Sequence, residues 1–458
     1  MKGSMTAGSE LKHIVLFAIP IIVGNLLQQL YNTVDSVVVG NYVNESALAA
    51  VGSCATLAFA FLAVAMGLGI GASIMTSQYF GANKVDDMRR GSCSALIMTL
   101  CVGTVLSVAG VAFARPLCAT VMGITDETIL DMATEYFAIF SVGIVFQFLY
   151  NCVSAILRGV GDSKASLYFL LASTILNIVL DLLLVVVIPW GVAGVAIATV
   201  VAEILCTVFS IVYMLKKYPA FRFKRDEIRL DREKSLICLK LGIPSIIQYI
   251  AISLGNLGLQ RLVNTFGQAT MSAYAVGSRV DGYAQMTVVG MTSATASFTG
   301  QNIGAGNITR VKRGFRAALG ICLIISSVIA AAAFVSAPFL SKLFGVSGDS
   351  LSKSVEMIRF LSPMLLVFAV YQIPSGVLQG SGDTFFSAAF ALSSIIMKLA
   401  AAYLLVYVFN AGYASPWLST PCGWALGTAL TYVRYFSGRW QKQAIVKIEE
   451  AEPVRKLN

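Results

Sequence analysis

Few residues of this chain could do chemistry, and they lie inside apolar runs. In ASTILNIVLDLLLVVVIPWG, Asn177 and Asp181 stand four residues apart and so share one helical face. The next run, GVAGVAIATVVAEIL, returns across the short Pro189-Trp190 turn. That places Thr199 and Asp181 at one level, each roughly 13 Å from the turn as helices. A further carboxylate, Asp35, lies six residues before Asn41 and falls at a similar depth. Four oxygen-bearing residues, two of them acids, could hold a hard cation or a proton between them. In the plainer alternative, Asn177 and Thr199 are interhelical glue to which Asp181 bonds. Glu203, one turn beyond Thr199, is a weaker candidate. Arg261, Arg279, Asp281 and Lys398 either line a cavity in the second half of the chain or form ion pairs inside it.

The elements that must position these groups are membrane helices. The 458 residues are 57% hydrophobic and only 12% charged, too apolar for a soluble domain. Twelve apolar runs, starting near residues 14, 47, 91, 131, 165, 192, 236, 271, 314, 354, 385 and 421, account for nearly the whole length, each long enough to cross the bilayer as a helix. The net charge of +10 is no sign of nucleic-acid binding, because the basic residues fall in alternate loops. Lys84, Arg89 and Arg90 follow the second run, Arg158 and Lys164 the fourth, and the segment from Lys216 to Lys240 the sixth. By the positive-inside rule both termini are expected to be cytoplasmic. Nine scattered cysteines and the lone His13 support neither a disulfide framework nor a Cys/His metal site.

The two halves repeat. Pro20 and Val51-Gly52-Ser53 answer Pro244 and Val276-Gly277-Ser278. Gln78, Gly81, Ala82, Arg90 and Gly91 answer Gln301, Gly304, Ala305, Arg313 and Gly314, and SAILRGVGDSK from Ser154 recurs as SGVLQGSGDTF from Ser375. An even number of crossings separates the copies, so they are parallel repeats about an axis along the membrane normal. The expected division is a tail over 1–13, a six-helix lobe over 14–217, a basic cytoplasmic linker over 218–235, a second six-helix lobe over 236–440 and a cytoplasmic tail over 441–458. The acids are not repeated. Asp35 meets Leu259 or Gln260, Asn177 meets Lys398, and Asp181 meets Ala402. The repeated G-x-G-D also belongs to the signature of intramembrane aspartyl proteases, a remote alternative. Its Tyr-Asp partner is missing from the sequence, and both copies read better as helix ends, with Gly terminating one helix and Asp capping the next.

Twelve helices in two parallel halves, the NTVDSVVVG run around Asp35, the Asn177-x-x-x-Asp181 pair and the basic mid-chain linker together resemble the multidrug and toxic compound extrusion (MATE) transporters. The resemblance implies an all-α, V-shaped, two-lobed secondary antiporter rather than an enzyme. It implies a multi-pass protein of the plasma membrane, working as a monomer without a cofactor. Its cargo would be amphipathic, often cationic or aromatic drugs or toxic metabolites, exported in exchange for H⁺ or Na⁺. It also implies that Asp35, Asn177, Asp181 and Thr199 carry the coupling cation, with the backbone carbonyl of Val195 as a further ligand, Na⁺ being the metal such a site would take. A flippase for lipid-linked saccharides, as found among related two-lobed proteins, is the alternative, and a strongly basic cavity would favour it. The sequence does not identify the drug-binding side chains.

Overall fold

The computed structural model describes residues 4–446, apart from the side chains of residues 30, 32–34, 36, 37 and 226. The last stretch of the expected C-terminal tail, 447–458, lies outside the described residues. Among those described there are twelve long helices and no strand. The first half holds α1 (Glu10–Tyr42), α2 (Glu45–Gly81), α3 (Val85–Ala112), α4 (Glu127–Gly159), α5 (Ser163–Asp181) and α6 (Gly191–Lys217). The second half holds α7 (Arg232–Asn264), α8 (Gln268–Gly304), α9 (Ile308–Leu343), α10 (Gly348–Ser381), α11 (Thr384–Tyr407) and α12 (Thr420–Phe436). Each begins one to six residues before its expected start. Several starts are fixed by side chains. Ser9, Asn44, Asp126, Asp162, Asp231 and Asn307 each accept a hydrogen bond from a backbone N–H two or three residues on, satisfying donors that a helix end leaves orphaned.

Ten of the twelve are long and apolar enough to cross a membrane. The exceptions are α12, which is only 17 residues long, and α8, whose Ser278, Asp281, Gln285 and Ser293 face a central cavity rather than lipid. The outer surface is strongly apolar, with Val335 77% and Val433 71% exposed, as a lipid-facing surface requires.

Helix packing repeats between the halves. In the first, α4 packs on α2, α3 and α6, while α5 packs on α1 and α6; in the second, α10 packs on α8, α9 and α12, while α11 packs on α7 and α12. The lobes meet through equivalent pairs, α1 with α8 and α7 with α2, and through α2 with α8. Small residues let these backbones approach. A Cβ on Gly71 would overlap the Cys238 carbonyl, one on Gly81 the Gln301 carbonyl and one on Gly304 the Gln78 carbonyl. These contacts lie in the half of each helix nearest the linker between α6 and α7, so the lobes join there and diverge beyond.

Two glutamines bolt this junction symmetrically. Gln78 on α2 donates to the Gly380 carbonyl of α10 at 3.0 Å and accepts from Ile445 N–H at 2.8 Å. Its repeat partner Gln301 on α8 donates to the Gly159 carbonyl of α4 at 2.9 Å and accepts from Met5 N–H at 2.8 Å. Gly159 and Gly380 are themselves repeat partners.

The two G-x-G-D segments are helix ends. Gly161 and Gly382 take positive φ, +90° and +94°, where a side chain would be strained. Asp162 caps α5 as expected and also holds Lys217 Nζ at 2.9 Å. Asp383 does not cap α11. Its carboxylate is taken by Arg434 on α12, at 2.7 and 3.2 Å, a two-pronged pair charged on both sides, whereas a capping N–H carries no charge of its own. In both lobes, then, this Asp ties the start of the fifth helix to the end of the sixth. The linker is anchored likewise, with Glu227 gripping Arg89 of α3 through two bonds of 2.7 and 2.6 Å.

Candidate functional site

The helices bring Asp35, Asn177, Asp181 and Thr199 together inside the first lobe, in the half away from the linker. Asn177 and Asp181 are fully buried and Thr199 nearly so. The Asn177 amide is oriented by its partners. With nitrogen toward the acids it donates to Asp35 Oδ1 at 3.0 Å and Asp181 Oδ2 at 3.3 Å. Its other amide atom, then the oxygen, lies 3.5 Å from Thr199 Oγ1. The Asn177 amide nitrogen thus bridges the two carboxyls, giving one hydrogen to an oxygen of each. The second oxygen of Asp181, Oδ1, is buried without a partner. An acceptor left bare in a set of oxygen ligands fits a proton or a hard cation. Among the described residues no group of three or more His, Cys, Asp or Glu could hold a metal ion.

Two local features shape the cluster. Directly after Asp181 the helix widens into a π-helical turn, Leu182–Val187, a distortion that often accompanies functional sites. Tyr31, one turn before Asp35 on α1, donates to Thr199 Oγ1 at 3.2 Å. Sequence reasoning missed Tyr31, although its i, i+4 spacing to Asp35 was a usable signal. Glu203 stands against Gly143 of α4, where a Cβ would meet its Oε2 at 3.2 Å, and makes no hydrogen bond among the described residues. Val195 is fully buried on α6.

A separate cavity of about 840 Å³ lies between the lobes. None of the four clustered residues lines it. Its walls come mostly from the second lobe, with the aromatic rings of Tyr249, Tyr274, Phe368, Tyr371, Trp417 and Trp424. Helix α1 bridges the two sites, presenting Ile21 and Asn25 to the cavity while Tyr31 bonds to α6. Of the second-half charges, Asp281 and Lys398 line the cavity, whereas Arg261 and Arg279 are exposed. The alternative of ion pairs inside the second half does not hold, since none of the four makes an ion pair within 4.0 Å among the described residues.

A two-lobed bundle of membrane helices, with an acidic cluster in one lobe and an aromatic cavity between the lobes, defines the class as a membrane transporter. The MatE family model matches residues 20–183 and 244–404, and the chain belongs to that family. The two matches fall one in each half. It is 28% identical to the probable multidrug resistance protein YoeA of Bacillus subtilis over 94% of this chain and 95% of the relative. It is 29% identical to YpnP of the same organism, also a probable multidrug resistance protein, over 95% and 97%. Among solved structures, an outward-facing multidrug resistance MATE family transporter of the MOP superfamily superposes with a TM-score of 0.90 at 24% identity, over 96% of this chain and 99% of that one.

Proposed function

We propose that this transporter is a secondary antiporter, exporting amphipathic aromatic drugs or toxic compounds in exchange for H⁺ or Na⁺. The observation that carries the reading is the buried Asp35–Asn177–Asp181 cluster with the bare Asp181 Oδ1, a cation-binding arrangement with no acidic counterpart in the second lobe. An unmatched pair of buried acids is costly in a membrane and is retained where it serves transport. Thr199 and, through its carbonyl, Val195 complete the ligand set, and Tyr31 orients Thr199. Entry of one positive charge down the membrane potential yields about 2.3 kcal/mol per 100 mV, enough to bias the lobes between two arrangements. Helix α1 carries the signal, because it bears Asp35 toward the first lobe and Asn25 toward the cavity.

The protein works as a monomer in the plasma membrane, with the lobes, linker and tails divided as the repeat predicts and both termini and the linker in the cytoplasm. The basic linker supports that orientation. The flippase reading asks for a strongly basic cavity, and this one carries the acid Asp281 beside its two cations, Arg158 and Lys398; the acidic cluster of the first lobe favours the antiporter over it. Purified protein in vesicles under an imposed H⁺ or Na⁺ gradient tests the coupling. Asp35→Asn and Asp181→Asn are each expected to abolish gradient-driven dye efflux while preserving insertion; undiminished efflux by both removes the cluster from the mechanism. For the orientation, a single engineered cysteine at Arg229 is expected to resist an impermeant maleimide added outside intact cells, and ready labelling reverses it.

A further inference from the structure

The charges that a bound compound meets in the central cavity are those of Arg158, Asp281 and Lys398. The acids of the first lobe are absent from its walls. Asp281 is engaged, accepting from Gln285 Nε2 at 2.6 Å. The two cations are not, for neither side chain makes a hydrogen bond or ion pair among the described residues. Lys398 lies on α11, 14 residues from Thr384 and so roughly 21 Å above the linker-side end. Its stem is packed against Gly423 of α12, where a Cβ would meet Lys398 Cβ at 3.0 Å. Arg158 is in the last turn of α4, on the cavity floor, beside the Gly159 carbonyl that Gln301 holds.

An ammonium that the already hydrogen-bonded Asp281 reaches only beyond ion-pair distance, and a guanidinium with no acid beside it, are costly groups in a low-dielectric cleft, and an anion entering the cleft relieves both. A lipophilic cation meets the opposite balance, two repulsive charges against one attractive acid that is already hydrogen-bonded. We propose that the cargo of this transporter is an amphipathic organic anion. Its ring system lies among Tyr274, Phe368, Trp417 and Trp424, its acidic group meets Lys398, and Arg158 offers a second station nearer the floor. The cavity volume is in the range that encloses a drug-sized ring system. This departs from the cationic cargo that the family resemblance implied, and it rests on the reading of the cavity as the transport site.

Two xanthene dyes of similar size and opposite charge separate the cases, fluorescein as the anion and rhodamine 6G as the cation. Binding is read by fluorescence anisotropy on the full-length protein in detergent at pH 8, without any gradient. The expected result is fluorescein affinity at least tenfold above that of rhodamine 6G. Lys398→Gln should weaken fluorescein binding at least tenfold and leave rhodamine 6G unchanged or tighter. Lys398→Arg should retain fluorescein, and Arg158→Gln should give a smaller loss. Size-exclusion profiles matching wild type, together with rescue by Lys398→Arg, separate loss of the contact from misfolding. Preference for rhodamine 6G, absence of fluorescein binding, or fluorescein binding indifferent to Lys398→Gln overturns the proposal. Selective fluorescein binding without gradient-driven efflux supports this assignment of the cavity and counts against the antiport reading alone.

Discussion

Replacing Gln78 and Gln301 by methionine keeps side-chain length and removes hydrogen bonding from the junction between the lobes. Each glutamine makes two bonds there, one to a glycine carbonyl of the other lobe and one to a terminal segment. At a net 0.5–1.5 kcal/mol for an ordinary hydrogen bond, each substitution withdraws about 1–3 kcal/mol from the arrangement closed on the linker side. That is a shift of roughly 5- to 150-fold in the balance of two conformers per glutamine. The two sites touch the same junction, Gly304 resting on Gln78 and Gly81 on Gln301, so their effects should couple, the double variant departing from the sum of the single ones. Spin labels on cysteines at the exposed Lys84 and Lys312, one per lobe on the linker side, give the distance across the junction by pulsed dipolar spectroscopy. Wild type should show a single short population, each methionine variant a second, longer one, and the double variant a majority of the longer one. Unchanged distance distributions in all three variants would show that the glutamines do not hold the lobes together.

Two further outcomes are expected. Tyr31→Phe removes the 3.2 Å bond to Thr199 Oγ1 and should slow gradient-driven efflux severalfold, less than Asp35→Asn does; rates equal to wild type count against a role for Tyr31. The hydrogen bonds and charge of Arg89, aided by the Lys224 N–H, hold the Glu227 carboxyl at about 2, below its ordinary 4.5. A depressed acid stabilises the fold above its unfolded value and loses that contribution as pH falls through the folded one. Hydrogen-exchange protection in the linker, taken relative to the intrinsic rate at each pH, should therefore be high above about pH 4.5 and fall towards pH 2, with Glu227→Gln lowered already at neutral pH; equal linker protection in wild type and variant rejects the anchor.

What the sequence disclosed follows from how local each signal is. The helices were legible because apolar length and capping residues such as Asn44 and Asp162 act within a turn of themselves. Asn177 and Asp181 were legible because a four-residue spacing fixes a shared face, and Thr199 because a short turn fixes its depth. Asp383 escapes the capping rule because its partner, Arg434, is 51 residues away, and no local rule includes it. Gln78 and Gln301 were visible as a repeated pair, yet their partners Gly380 and Gly159 lie on the opposite lobe, so the repeat disclosed the symmetry without the contact. The polar face of α8 lowers its hydropathy for the same reason, since what it faces is set by the other lobe.

The backbone contact of Gly81 with Gln301 and of Gly304 with Gln78 has a bearing on leakage. Where helices touch through side chains, a rotamer change can open a thread of water while the bodies stay in place. Here carbonyls meet glycines with no side chain between them to rotate. The floor of the cavity can open only when whole lobes part, and parting them breaks the glutamine bonds together with the contact. Such a barrier has few half-open states through which water or small ions could slip past the lobes; under the proposed antiport, the tightness of coupling would then rest on two pairs of residues that bind no ion.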